Sequence, residues 1–216
     1  MNRAAEIHTW FAARPGNTQV ATRFACEGLA RWLRRCRPLA ILEVGAGYGT
    51  LTAVASDHAL YVTALEDDPH CRRQWSESMR DWRLSAGCST MVWTHAEWTE
   101  CMLPLKRQYD AIVVDGGDGR PTYYASVAHR GIIFFEGRRR SQREVCAATL
   151  RASGRGYCEA EWKPPDRSKG YVVMQLDPKP IERLWFALVR AREWWRDQCA
   201  RWRGRPAGKR RNPCLP

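Results

Sequence analysis

LAILEVGAGYGTLT, residues 39–52, decides the fold. An apolar run carries an acid at Glu43 and ends at Val44, and glycines then recur at every second position: Gly45, Gly47 and Gly49. A short apolar run bounded by turn residues reads as a buried strand. Glycine lets the backbone turn sharply and lets a ligand approach with no Cβ in the way. The helix expected over 50–58 then points its unsatisfied N–H groups back at the turn. Strand, glycine turn and helix make the first unit of a doubly wound sheet, in which ligands bind beyond the carboxyl ends of the central strands.

Outward from this unit, strand and helix signals alternate. Upstream, 21–37 reads as a helix with Phe24, Leu29, Trp32 and Leu33 on one side, stopped by Pro38. Downstream, strands are expected over 60–65, 90–93, 109–114 and 131–135. Helices are expected over 69–84, where Pro69 suits the first turn, and over 141–152. The segments 156–162 and 170–176 read as strands with only a short turn between them. A parallel return needs a crossover of a dozen or more residues, so this pair is antiparallel. The expected fold class is therefore α/β, a Rossmann-like doubly wound sheet. It is mostly parallel with one antiparallel strand near the edge, plus an N-terminal helix and a long C-terminal helix from Pro180 to about Arg203. Residues 1–38 are expected as an N-terminal helical lid segment, 39–178 as the ligand-binding domain, and 179–216 as a basic, tryptophan-rich helix with a disordered tail.

The spacing Glu43-x-Gly45-x-Gly47-x-Gly49 resembles motif I of the class I S-adenosylmethionine (SAM) methyltransferases, and it departs from the G-x-G-x-x-G of dinucleotide enzymes. SAM carries an ammonium group and no phosphate, which suits an acid near the turn. The resemblance covers roughly residues 38–178. It implies SAM as cofactor, with S-adenosylhomocysteine (SAH) as product, held by Glu43, Gly45, Ala46 and Gly47. Glu66, with Asp67 beside it, ends the second strand where the family's ribose-binding acid stands. Ala96, Glu97 and Trp98 fall at its adenine-binding station, and Asp115 at its fourth motif.

The segment after the fourth strand sets the acceptor chemistry. The chain has DGGD at 115–118 and lacks there both the Asn/Asp-Pro-Pro-aromatic signature of amino-methylating enzymes and the Pro-Cys of cytosine C5 enzymes. The nearest likeness is to small O-methyltransferases. It implies a small-molecule hydroxyl or amine acceptor with Asp115, Asp118 and Glu136 as the catalytic carboxylates, which as a trio would also suit a divalent metal. The chain departs from the metal-binding pattern after Glu136, where Gly137 and three arginines, 138–140, come next. Two alternatives stay open. Asp115 and Asp118 have the D-x-x-D spacing of aminopropyltransferases, and the chain could equally be a SAM-binding scaffold without turnover.

The net charge of +12 is uneven: residues 179–211 hold 11 Lys/Arg against 3 Asp/Glu, while the remainder holds 24 against 20. The C-terminal helix is expected to carry one apolar stripe through Trp185, Leu188, Val189, Trp195, Cys199 and Trp202. That stripe would pack on the body or in a homodimer. With its arginines the segment also admits nucleic acid, hence RNA-directed methylation, or a membrane surface. Nine scattered cysteines form no C-x-x-C pair, no run of 18 apolar residues occurs, and the N-terminus lacks an apolar leader. A cytoplasmic protein with free thiols is the expectation, without a membrane span.

Overall fold

The computed structural model describes residues 2–16, 20–86, 91–95, 108–117, 119–164 and 169–203. The helices are α1 (Arg3–Ala12), α2 (Arg23–Cys36), α3 (Thr50–Ser56), α4 (Pro69–Ala86), α5 (Pro121–Ala125), α6 (Arg140–Ala152) and α7 (Pro180–Arg203). The strands are β1 (Ala40–Val44), β2 (Tyr61–Leu65), β3 (Met91–His95), β4 (Tyr109–Val114), β5 (Val127–Glu136), β6 (Tyr157–Trp162) and β7 (Tyr171–Leu176). They form one seven-stranded sheet in the order β3-β2-β1-β4-β5-β7-β6, with β7 antiparallel to both neighbours and the other strands parallel. The reversed strand thus lies one place in from the edge, as the short turn before it requires.

Alternation along the strands divides the core into two layers. Ile41, Ala111, Val113, Ile132, Phe134 and Val173 face α1–α4 and α7, while Leu42, Ile112, Val114, Ile133, Phe135 and Met174 face α5 and α6. Both faces are covered, which is why the central strands read as near-continuous apolar runs.

Helix α2 begins at Thr22, whose hydroxyl accepts from the Ala25 amide, and ends in the left-handed Arg37 before Pro38. It lies so close to β7 that a Cβ on Gly28 would fall 2.2 Å from Cε1 of Tyr171. Tyr171 cannot yield, because its ring stacks between Phe134 (centroids 4.9 Å apart) and Trp162 (5.3 Å). Gly28→Ala is therefore expected to cost about 2–3 kcal/mol in stability, an overpacking penalty, read from the denaturant midpoint. A midpoint unmoved by the substitution would contradict this packing.

Four departures from the sequence-based expectation have physical causes. Residues 1–20 carry no stronger signal than helix and loop, yet α1 buries Ala4, Ile7 and Phe11 in the core. Helix α5 is a five-residue turn opened by Pro121. Strand β5 starts four residues before the expected 131, at Val127, and the polar His129-Arg130 with Gly131 hides this first part from the apolar pattern. The register against β4 shifts there, and Arg130 is left-handed. On α7 the buried face is Phe186, Val189 and Glu193, whereas Leu188 and Trp195 are 61% and 63% exposed. The stripe expected through those two residues is corrected: at 3.6 residues per turn they project away from Phe186 and Val189. Trp202 lies outside the described side chains.

The six described cysteines are free thiols. No described helix is long and apolar enough to cross a membrane.

Candidate functional site

Parallel register brings the critical strand ends level. Val44 pairs with both Leu65 and Val114, and Val114 pairs with Phe135, so the residues just past each strand gather along one edge. The amides of Gly45 and Ala46 donate to the carbonyl of Leu65, and those of Asp115 and Gly116 donate to the carbonyl of Val44. This stitching carries the glycine turn, Glu66 and the 115–117 turn into a common cleft. Gly45, Gly47 and Gly49 all have positive φ (78°, 54° and 94°). A Cβ on Gly45 would lie 2.4 Å from Cα of Gly116, so two main chains touch here.

The cleft encloses a cavity of about 350 Å³. Gly45, Gly47 and Glu66 form one wall, and Asp115, Gly116 and Gly117 another. Glu136, Arg139 and Lys169 close the far side, and Val20 and Ala21 reach its rim. Glu66 is held rigidly: Oε2 accepts from the Gly47 amide at 2.7 Å and Oε1 from the Asp68 amide at 3.0 Å. Burial pushes its carboxyl above the usual range, against the pull of those two amides. Asp68 in turn accepts from the amides of His70 and Cys71, which starts α4.

At the far side, Arg139 donates through Nη2 to the backbone carbonyl of Asp115 and to its Oδ1 (3.0 Å), and through Nε to the carbonyl of Glu136 (3.0 Å). Lys169 Nζ lies 3.2 Å from Oε2 of the buried Glu136. Burial, reinforced by the adjacent Glu136 charge, pushes Asp115 up to about 7, with Arg139 pulling the other way.

Glu43 stands elsewhere. It is buried, it does not line the cavity, and its Oε2 accepts from the Thr52 hydroxyl, which itself accepts from Trp75 Nε1 at 3.0 Å. Burial pushes its carboxyl well above the usual range. The structure thus brings Gly45, Gly47, Glu66, Asp115 and Glu136 together around one cavity, with Ala46 buried in the turn and Asp67 exposed beyond Glu66. Ala96, Glu97, Trp98 and Asp118 lie outside the described residues, as do residues 17–19 of the expected lid segment. Two cavity residues escape the sequence reading. Arg139 stands in a run of arginines that carries no positional signal, and Lys169 belongs to the turn between β6 and β7.

No family model matches the chain, and no curated protein does. The fold is nevertheless shared with solved methyltransferase structures. The O-methyltransferase from Bacillus cereus, in complex with SAH, aligns over 81% of this chain and 90% of its own, with a TM-score of 0.62 at 11% identity. TomG of Streptomyces achromogenes, an O-methyltransferase involved in tomaymycin synthesis and bound to SAM, aligns over 82% and 88%, with a TM-score of 0.57 at 13% identity. A tRNA methyltransferase from Aquifex aeolicus aligns over 80% and 76%, with a TM-score of 0.56 at 14% identity. At these identities the likeness is one of fold: a Rossmann-like, class I methyltransferase architecture.

Proposed function

We propose that this chain is a SAM-dependent methyltransferase acting on a small-molecule hydroxyl or amine acceptor. The observation that carries the reading is the Glu66 carboxylate, pinned by two amides at the tip of β2 and facing the same cavity as the glycine turn. Each of its oxygens accepts one backbone bond and keeps a lone pair for the hydroxyls of a ribose. Gly45 and Gly47 present bare backbone to the ligand. Three carboxylates, Glu66, Asp115 and Glu136, line the cavity against two cations, Arg139 and Lys169. That balance suits a ligand bearing ammonium and sulfonium charges and opposes a pyrophosphate.

When bound, SAM supplies a methyl group already activated on a cationic sulfur. The protein has then to place an acceptor in line with that methyl and keep water out, which is catalysis mostly by orientation. Asp115, whose carboxyl burial raises toward the range of a general base, takes the acceptor's proton once ionised. Transfer of that methyl would leave SAH as product, with Asp115 holding the acceptor's proton. Val20 and Ala21, at the rim, fit residues 1–38 as the cover of this site.

Calorimetry is the direct test. SAM and SAH are expected to bind and NAD is not. Burial raises the Asp115 carboxyl, so as the pH falls through its raised pKa the unliganded group gains a proton that a cationic ligand must expel, and the affinity for SAM falls by up to about tenfold per pH unit before the group is fully ionised. Binding of NAD in preference to SAM would end the proposal, and a flat pH profile would remove Asp115 from the contact.

A second reading, RNA-directed methylation, draws on the arginines of α7 and on the exposed Trp194 and Trp195, which offer charge for phosphates and flat faces for bases.

A further inference from the structure

The resemblance to small O-methyltransferases implies a divalent ion held by carboxylates at the ends of β4 and β5. The residues present do not fit one. Asp115 and Glu136 do meet, but the space between them holds a guanidinium: Arg139 Nη2 is 3.0 Å from Asp115 Oδ1 and 3.7 Å from Glu136 Oε2. Lys169 Nζ takes the same Glu136 oxygen from the other side, at 3.2 Å. Two carboxylates are thus matched by two cations, and a divalent ion would have to share the space with both. Among the described residues, no cluster of three His, Cys, Asp or Glu side chains offers a ligand set.

We infer that Arg139 stands where the metal ion would be. With Lys169, it occupies the carboxylates a metal would use and supplies N–H donors, in place of a metal ion, to an acceptor whose reacting oxygen carries, or develops, negative charge. This deepens the methyltransferase reading and rests on it for the identity of the reaction.

Three further observations support the inference. Arg139 adopts φ 37°, a left-handed backbone that a non-glycine residue rarely takes. Such a backbone persists only where its surroundings impose it. Here Gly137, also left-handed, hands its amide to the carbonyl of Gly170, and the bond from Arg139 Nε to the Glu136 carbonyl clamps the turn. Arg139 also keeps capacity in reserve. Nη2 and Nε are engaged, whereas Nη1 has no partner among the described residues, so its N–H groups remain to donate to an oxyanion. Finally, Glu136 is 1% exposed and its Oε1 has no partner, an acceptor buried beside the cavity that a ligand N–H or O–H would satisfy. Guanidinium and ammonium groups stabilise a developing negative charge as a metal ion does, without exchange of ligands.

The inference is tested by titrating Mn²⁺ into the full chain and monitoring the loss of its free-ion paramagnetic resonance signal, with SAH affinity measured on the same samples. Wild-type protein is expected to show no site tighter than millimolar. Arg139→Ala removes the guanidinium from between the two carboxylates and is expected to bind Mn²⁺ at least about tenfold more tightly. If that variant fails to fold, Arg139→Met keeps the stem and carries the same expectation. Micromolar Mn²⁺ binding by the wild type would overturn the inference, as would variants that fold but gain no affinity. Failure of the wild type to bind SAH would instead count against the methyltransferase reading, and the Mn²⁺ result would remain interpretable by itself.

Discussion

Glu66→Ala removes measurable binding of SAM and SAH, a loss of at least about 100-fold, or about 2.7 kcal/mol, while the protein stays folded. The carboxylate sits at the tip of β2 with both oxygens aimed by amides, from Gly47 and Asp68. Two hydrogen bonds from ribose hydroxyls to an ionised acceptor are worth about 1.5–3 kcal/mol each, enough to account for the whole effect. The substitution also frees the Gly47 amide and slackens the glycine turn, which adds to the loss. Stability changes little, because Glu66 belongs to the cavity wall rather than the apolar core and water can reach the freed amides. Glu66→Gln preserves the volume and one acceptor oxygen, so its affinity is expected to fall between wild type and alanine. Calorimetry beside a thermal melt checks the set. An alanine variant that binds SAH as the wild type does would withdraw the ribose assignment.

The second large effect is on folding itself. Gly45→Ala is expected to cost at least about 3 kcal/mol and to lower the denaturant midpoint accordingly. A left-handed alanine costs about 1–2 kcal/mol. The added methyl would also meet the Gly116 backbone at 2.4–2.8 Å, where no side chain can swing away. The strand ends would have to part, breaking the bonds between Val44 and the 115–116 amides. Gly116→Ala is the informative partner. Its φ is unexceptional, and its Cβ would sit 3.3 Å from Cα of Gly45, a contact relieved by a few tenths of an ångström. The two substitutions add the same methyl to the two sides of one contact, yet the first is expected to cost several times the second. Equal costs would mean the two turns are not in close contact in solution.

The sheet was legible in the sequence because its signals are local: apolar runs of strand length, Pro38 and Pro69 as punctuation, and a turn too short for a crossover between 162 and 171. The positions of Glu66 and Asp115 were legible too, since each follows a recognisable strand and parallel register then sets them on either side of the glycine turn that ends β1. The rest depended on tertiary context. Glu43 is indistinguishable in sequence from a ligand-facing acid. Its burial behind the turn depends on Thr52 and Trp75, nine residues and thirty-two residues away in the chain. Arg139 and Lys169 are ordinary surface cations until the ends of β5 and the β6–β7 turn bring them to the same carboxylate. On α7 the helical period was correct and the phase was wrong, because apolar residues occupy more than one face and only the contact with the body selects Phe186 and Val189.

The sheet order has a bearing on biosynthesis. Strand β7, second to last in position, is the last of the described strands along the chain, and it slots between β5 and β6. Until residue 176 has left the ribosome, the outer border of β5 and the inner border of β6 are both open to pairing. The nascent polypeptide therefore stays adhesive until β7 emerges, and a premature stop before 171 would release a species with uncapped borders rather than a smaller folded unit.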